Sequence, residues 1–287
     1  MKIIFIADFF VENGINGGGE LNNEVFCDLV AKSDHKLLKV ESKRIDIDFL
    51  KNNSDCKFVI ANFVFLRSET IEYISSNLDY VIYEHDHKYV RTRNPASYEN
   101  YIAPKSEIVN FHFYQNALAV FCQSNFHKDI VEKNLELDNI VSLGGNLWSD
   151  DSLELMRTLS KKEKKEKFSI MESDNWHKNT AEAIRFCVAK EFDYELIPGC
   201  SYEEFLNKLS ENKKFVFLPK TPETLSRIIV EARMMGMSVV ANNRIGATKE
   251  EWFKLKGEEL IDFMSNKKQE IFNKVIGVFD ENSSGNK

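Results

Sequence analysis

Glu223-Thr-Leu-Ser-Arg-Ile-Ile-Val-Glu231 sets two carboxylates eight residues apart and leads, through Met235-Gly236-Met237, into Ser238-Val239-Val240-Ala241-Asn242. Leu225, Ile228, Ile229, Ala232 and Met235 recur at helical spacing, which predicts a helix opening at Glu223 with one face turned to a core. Gly236 suits the left-handed position that ends such a helix. At the helix start the N–H groups of Thr224, Leu225 and Ser226 lack intrahelical partners and lie at the positive end of the dipole, a place that favours a diphosphate. Glu231 lies further along, beyond the anion. A plainer reading of the same residues is a capped helix start, with Thr221 as cap, Pro222 at the first position and Glu223 as an acid in the first turn.

Upstream of this stretch the apolar runs Phe168–Met171, Tyr194–Ile197 and Phe215–Leu218 alternate with helical patterns over 180–190 and 203–209. The first half repeats that grain. Lys2–Ala7 reads as a buried strand, then comes a glycine-rich loop (Gly14, Gly17, Gly18, Gly19) and an amphipathic helix over 20–32. Runs at 37–40, 58–61, 80–83 and 119–122 follow, separated by helices near 68–76 and 125–134. Such alternation predicts parallel sheets covered by helices. From Lys249 to about Phe279 the pattern is helical, and the tail from Glu281 is expected to fray.

At 287 residues the chain is long for one domain, and the expected division is 1–150 and 151–287. The carboxyl ends of parallel strands are where such sheets hold ligands, so the expected site is a cleft between the two. Apolar residues make up 43% and charged residues 29%, an ordinary globular composition. A net charge of −7 disfavours broad attraction to nucleic acid. The dense basic run Lys161-Lys-Glu-Lys-Lys-Glu-Lys167 is interrupted by acids and reads as a solvated linker or short helix. Five cysteines without short paired spacing suit buried thiols in a reducing compartment. The start Met-Lys-Ile-Ile-Phe-Ile-Ala-Asp is too short and too soon acidic for a secretory signal, and no apolar run is long enough to span a bilayer. The cytoplasm is expected, with peripheral membrane contact left open.

Several constellations could carry chemistry. Gly17-Gly18-Gly19-Glu20 lets backbone approach a phosphate or sugar. A dinucleotide fingerprint with Glu41 as ribose partner is the rival, but the glycines follow the strand by a long loop and not by the tight turn that fingerprint needs. Tyr83-Glu84-His85-Asp86-His87 stands at a strand end. The His85 imidazole could orient a sugar hydroxyl or move a proton near neutral pH. His85 and His87 also stand two apart, as a strand-face metal pair would. Lys88, Arg91 and Arg93 read as a solvated basic loop or an anion grip. Ser124 is a helix cap or a strand-end site residue. In the second half Glu172-Ser-Asp-Asn-Trp-His-Lys178 and Arg244-Ile-Gly246-Ala247-Thr-Lys-Glu250 follow strand ends.

Taken in order, these segments resemble the GT-B glycosyltransferases, retaining enzymes that move sugar from a nucleotide-sugar donor. The paired glutamates resemble that family's E-x7-E element, Gly17–Glu20 its Gly-Gly-x-Glu loop, His85-Asp86 its strand-end His-Asp pair, and Gly246–Glu250 its Gly-Gly-x-x-Glu. The resemblance spans about residues 1–250. It implies an α/β fold of two Rossmann-like domains facing each other across a cleft, the first presenting a glycan or other hydroxyl acceptor and the second holding a nucleotide-diphosphate sugar, without an obligatory metal or cofactor. His85, Asp86 and Glu223 would be the catalytic residues. Gly17, Gly18, Gly19, Lys178, Thr224, Leu225, Ser226 and Arg227 would bind the donor, with Glu231 on the ribose hydroxyls. Ser173 departs from the pattern, since the family has an arginine there. Ala247 stands where the second glycine would be. Arg227, Lys220 or the helix terminus could supply the missing charge. Two other classes stay open: a nucleotide- or glycan-binding protein without chemistry, and a metal-dependent hydrolase on His85, Asp86 and His87.

Overall fold

Apolar runs too short to be helices form the strands of two parallel sheets. The computed structural model describes residues 1–14 and 17–285. It divides into Met1–Leu147 with Gln269–Lys287, and Trp148–Lys268. Ile15 and Asn16 of the glycine-rich loop, and Asn286 and Lys287 of the tail, lie outside the described residues.

The first unit contains β1 (Lys2–Ala7), α1 (Gly18–Lys32), β2 (Lys36–Glu41), α2 (Ile47–Asn52), β3 (Lys57–Ile60), α3 (Ser68–Asn77), β4 (Tyr80–Tyr83), α4 (Phe111–Gln115), β5 (Val120–Cys122), α5 (Asn125–Leu135) and β6 (Ile140–Ser142). All six strands are parallel, in the order β2-β1-β3-β4-β5-β6. Alternate residues of a strand point to opposite faces. Ile4, Ile6, Phe58, Ile60 and Ile82 therefore join one core, while Ile3, Phe5, Val59, Val81 and Tyr83 join the other. Burial on both faces explains why the central strands are almost wholly apolar. β6 and α2 were not signalled by periodicity, because segments this short fit either period.

The second unit contains α6 (Asp150–Ser160), β7 (Lys165–Met171), α7 (Thr180–Ala189), β8 (Tyr194–Ile197), α8 (Tyr202–Leu209), β9 (Asn212–Phe217), α9 (Arg227–Met234) and β10 (Ser238–Ala241). Its parallel sheet runs β10-β9-β7-β8. α9 supplies Ile229, Val230, Ala232 and Met234 to the larger of its two cores. Gly236 takes φ +79° after this helix, as its position predicted.

The last helix, α10 (Glu258–Gly285), differs from expectation in two ways. The tail from Glu281 continues it to Gly285 where fraying was expected. From Gln269 onward it also belongs with the first unit. Ile271, Phe272, Val275, Ile276 and Phe279 form an apolar stripe that completes the core under β1, β3 and β4. Lys274 Nζ fixes it further by donating to Ser142 O at 2.9 Å. Among the described residues no helix is long and apolar enough to cross a membrane.

Candidate functional site

In the second unit the loops after β7, β9 and β10 are tied together at the carboxyl edge of the sheet. Lys220 N donates to His177 O (2.9 Å), Asn179 Nδ2 to Leu218 O (2.8 Å), Asn242 Nδ2 to Pro219 O (2.8 Å) and Arg244 Nη1 to Lys220 O (2.8 Å). Lys178 Nζ reaches Glu223 Oε1 at 2.9 Å, joining two residues that stand 45 positions apart. Trp176, 56% exposed, lies on the same loop, with its ring against His177 and under the Lys220 ammonium.

The helix expected to open at Glu223 begins instead at Arg227. Glu223 is extended, forming an isolated parallel bridge with Ile245: its N–H donates to Arg244 O (2.8 Å) and its carbonyl accepts from Gly246 N (2.9 Å). The cap formed by Thr221, Pro222 and Glu223 is accordingly not made. Pairing with the stretch after β10 satisfies this backbone better than one more helical turn, which would unpair 244–246. Leu225 is wholly buried in the core and Thr224 stands beside it. Ser226 precedes the helix at φ 74° and ψ 86°, a left-handed backbone costly for a non-glycine residue. Its Oγ is buried and has no hydrogen-bond partner among the described residues. Loops, not a helical turn, thus bring Lys178, Glu223, Ser226 and Arg227 to the head of α9.

Glu231 does not share that edge's openness. It is 3% exposed, and its Oε1 accepts from Trp148 Nε1 (2.9 Å) and Tyr202 OH (2.8 Å), with Arg227 Nε at 3.4 Å. The Arg227 guanidinium lies over the Trp148 ring, 4.6 Å from its centroid. Burial, then the Glu231 charge, pushes the Tyr202 phenol far up, so it serves as a donor throughout the ordinary pH range. Ser173 Oγ accepts from Asn175 N (3.2 Å) within its own turn. Gly246 and Ala247 are buried, with Ala247 N donating to Leu225 O at 3.0 Å, so Ala247 faces the core and holds the pre-helical loop.

In the first unit the ends of β1, β4 and β5 and the head of α1 form a second cluster. Gly17 is the N-cap of α1. A side chain there would collide with the carboxylate of Glu20, which folds back onto it, and a Cβ on Gly19 would touch the His85 ring at 3.6 Å. Gly18 opens the helix between them. Burial, with the Asp8 charge adding to it, raises the Glu20 carboxyl. His85 contacts Asn23 Oδ1 through Nε2 (2.6 Å) and Gln123 Nε2 through Nδ1 (2.5 Å). That pairing fits a neutral ring that donates from Nε2 and accepts at Nδ1. Asp8, Asn23 and Gln123 escaped sequence reading. Asp8 and Gln123 directly follow β1 and β5, and that position was the available signal.

Behind His85 lies a buried polar network. Glu84, fully buried, accepts from Lys88 Nζ, Tyr114 OH and Asp86 N. Burial pushes its carboxyl up to about 7 against the pull of Lys88. For Asp86 burial also acts upward, but the Lys88 ammonium at 2.8 Å outweighs it and holds the carboxyl well below the usual range. Arg93 approaches its other oxygen at 3.6 Å. Lys88 is therefore no part of a solvated loop, whereas Arg91 and Arg93 are exposed. His87 turns away from His85 to Tyr89 OH (3.0 Å), and its buried Nε2 has no hydrogen-bond partner among the described residues. β4 ends at Tyr83, so the strand-face pairing of His85 and His87 is not formed. Among the described residues no three His, Cys, Asp or Glu side chains gather as a metal set. Ser124 caps α5, accepting from His127 N at 3.1 Å. Glu41 is tied to Arg44 (2.6 Å) and Lys43 (3.4 Å).

Two helix-covered parallel sheets carrying these loop clusters at their strand ends place the chain in the GT-B fold class. No protein-family model and no curated protein matches the sequence. Solved structures do. The catalytic domain of starch synthase IV from Arabidopsis thaliana, bound to ADP and acarbose, superposes with a TM-score of 0.59 at 8% identity, over 95% of this chain and 92% of that one. HepE of Anabaena, in complex with UDP and glucose, gives 0.54 at 11% identity over 99% of each chain. The lipopolysaccharide outer core galactosyltransferase WaaB gives 0.52 at 11%, over 96% and 91%. At such identities the likeness is one of fold.

Proposed function

We propose that this chain is a glycosyltransferase that moves a sugar from a nucleotide-diphosphate sugar to a glycan or other hydroxyl acceptor, with retention of configuration. The observation that carries the reading is the Lys178–Glu223 pair at the head of α9, beside a strained Ser226 whose buried hydroxyl lacks a partner among the described residues. An arriving diphosphate would take the Lys178 ammonium and hydrogen bonds from the loop over 224–227. Charge building on the leaving group would then be neutralised by Lys178 and Arg227. Freed of its lysine, the Glu223 carboxylate would accept from hydroxyls of the donor sugar. Glu231 acts one layer deeper in this reading, holding Arg227, Trp148 and Tyr202 in place. The UDP bound by HepE and the ADP bound by starch synthase IV are both consistent with such a donor.

The first unit would receive the acceptor near Gly17, Gly18, Gly19 and His85. Asn23 and Gln123 fix the His85 ring for a hydroxyl, and Asp86, held ionised by Lys88, shapes the loop that carries it. The free cysteines, four buried and Cys200 exposed, suit a reducing compartment such as the cytoplasm. A second reading, a binding protein without chemistry, is favoured by one feature, the uncharged Ser173. Release of free nucleotide from a panel of nucleotide sugars, with and without mixed glycan acceptors, tests both. Turnover with one donor is expected. Tight nucleotide binding without any release would leave the binding protein standing.

A further inference from the structure

The amino edge of the second unit's sheet carries a feature that sugar transfer does not use. Lys162, Lys164, Lys213, Lys214 and Lys256 line an open recess of about 450 Å³, together with Ser160, Gly236 and Ser238. The recess lies where β9 and β10 begin, at the end of the sheet opposite Lys178 and Glu223. The lysines come from four places in the chain: the turn after α6, the start of β9, and the segment before α10, with Lys164 leading into β7. Of the basic run expected as a linker or short helix, Lys162, Glu163 and Lys164 line this recess, and Lys165–Lys167 begin β7.

Among the described residues most of this charge has no carboxylate to answer it. Lys213 pairs with Glu166. Lys162 Nζ donates to the neutral Asn207 Oδ1 (3.1 Å), and Lys256 Nζ lies 3.4 Å from Ser238 Oγ. Lys164 Nζ is held by Leu159 O (2.7 Å) and Ser210 O (3.1 Å) at the ends of α6 and α8. Lys214 lies over the Phe168 ring, 5.2 Å from its centroid. Glu163 is the acid on the lining. Burial, then the charges of Lys162 and Lys256, lowers the Lys164 ammonium from its ordinary range, so these groups repel one another across the recess. In a chain of net charge −7 such a concentration is local and is not a consequence of composition.

We propose that this recess binds a phosphate-bearing anion. Lysine ammoniums answer phosphate as rotatable point charges, and a cavity of this size accepts an oligophosphate or a phosphorylated headgroup. The shared chemistry has a soluble and a membrane source, which two arms separate. Full-length protein is titrated at about 0.15 M salt with inorganic tripolyphosphate, followed by calorimetry, and is sedimented with phosphatidylcholine vesicles containing phosphatidate. At roughly five-fold per lysine, K214Q/K256Q should weaken the productive arm roughly 30-fold and Lys162→Gln, on an exposed side chain, roughly five-fold. A control, K51Q/K105Q, leaves binding unchanged. Binding in either arm, lost with the recess lysines, supports the site and names its source. Absence of binding in both arms, or binding that K214Q/K256Q retains, overturns it. Nucleotide-sugar turnover is a separate measurement, so failure here is distinguishable from failure of the transferase reading.

Discussion

Replacing Glu231 by alanine separates a structural carboxylate from a ligand-gripping one. The side chain is almost fully buried, and its Oε1 accepts from Trp148 and Tyr202 with Arg227 at salt-bridge distance. Truncation takes the Glu231 charge away from a guanidinium that is only 9% exposed. Removing one partner of a buried ion pair costs about 3–5 kcal/mol. The two lost hydrogen bonds, worth about 1 kcal/mol each, share the same oxygen and overlap with that figure instead of adding to it. Glu231→Gln removes the same charge but keeps an acceptor for the indole and phenol, so it should cost about 1–2 kcal/mol less than alanine. Urea unfolding followed by tryptophan fluorescence reads both, since Trp148 is itself in the network. The expected order is wild type, then Glu231→Gln, then Glu231→Ala. If Glu231→Ala unfolds within about 1 kcal/mol of wild type while the KM for a nucleotide sugar rises ten-fold or more, the carboxylate serves the substrate and the packing argument is wrong.

Other outcomes follow from the same geometry. Lys178→Ala should lower kcat by about 10²–10³ through loss of leaving-group stabilisation, yet cost under about 1 kcal/mol of stability because its ion pair is part-exposed; nucleotide-release kinetics beside a melting curve read the two. Ser226→Gly should raise stability by about 1 kcal/mol, relieving a left-handed serine at φ 74°, and a fall in donor affinity in the same variant would assign the hydroxyl to the donor. Burial lowers the His87 imidazole to about 4 from its ordinary value of about 6.5. Because the folded value is the depressed one, His87 contributes stability above pH 6.5 that is lost as pH falls toward 4. The linkage amounts to about 3 kcal/mol, and the gap between urea midpoints at pH 7 and 4.5 should narrow in His87→Gln, the part due to the adjacent buried His127, also held well below its ordinary range by burial, remaining. Phe279→Ala, at a fully buried position of α10, should cost about 3–5 kcal/mol; a smaller loss would mean that α10 does not complete the first unit's core.

Much of this molecule follows from local pattern. The strands β1, β3 and β4 and the carboxyl halves of β7 and β9 are largely apolar because both faces of a parallel sheet are covered there, and that leaves a signal readable without coordinates. Gly236 was legible for the same reason, since one residue type fits one backbone conformation. The paired glutamates, by contrast, were misread as the ends of one helix. Their spacing is helical, but Glu223 has a better partner in Ile245, which lies across the fold and leaves no mark on the residues around Glu223. Equally, nothing near Glu231 announces Trp148 and Tyr202, and nothing in α10 says which core its apolar stripe will meet. Sequence alone determined two α/β units, their strand order along the chain and the neighbourhoods rich in His, Lys and Gly. Tertiary structure decided which carboxylate is buried, which lysine is paired and where the final helix packs, because hydrogen bonds, ion pairs and burial are satisfied between segments far apart in the chain.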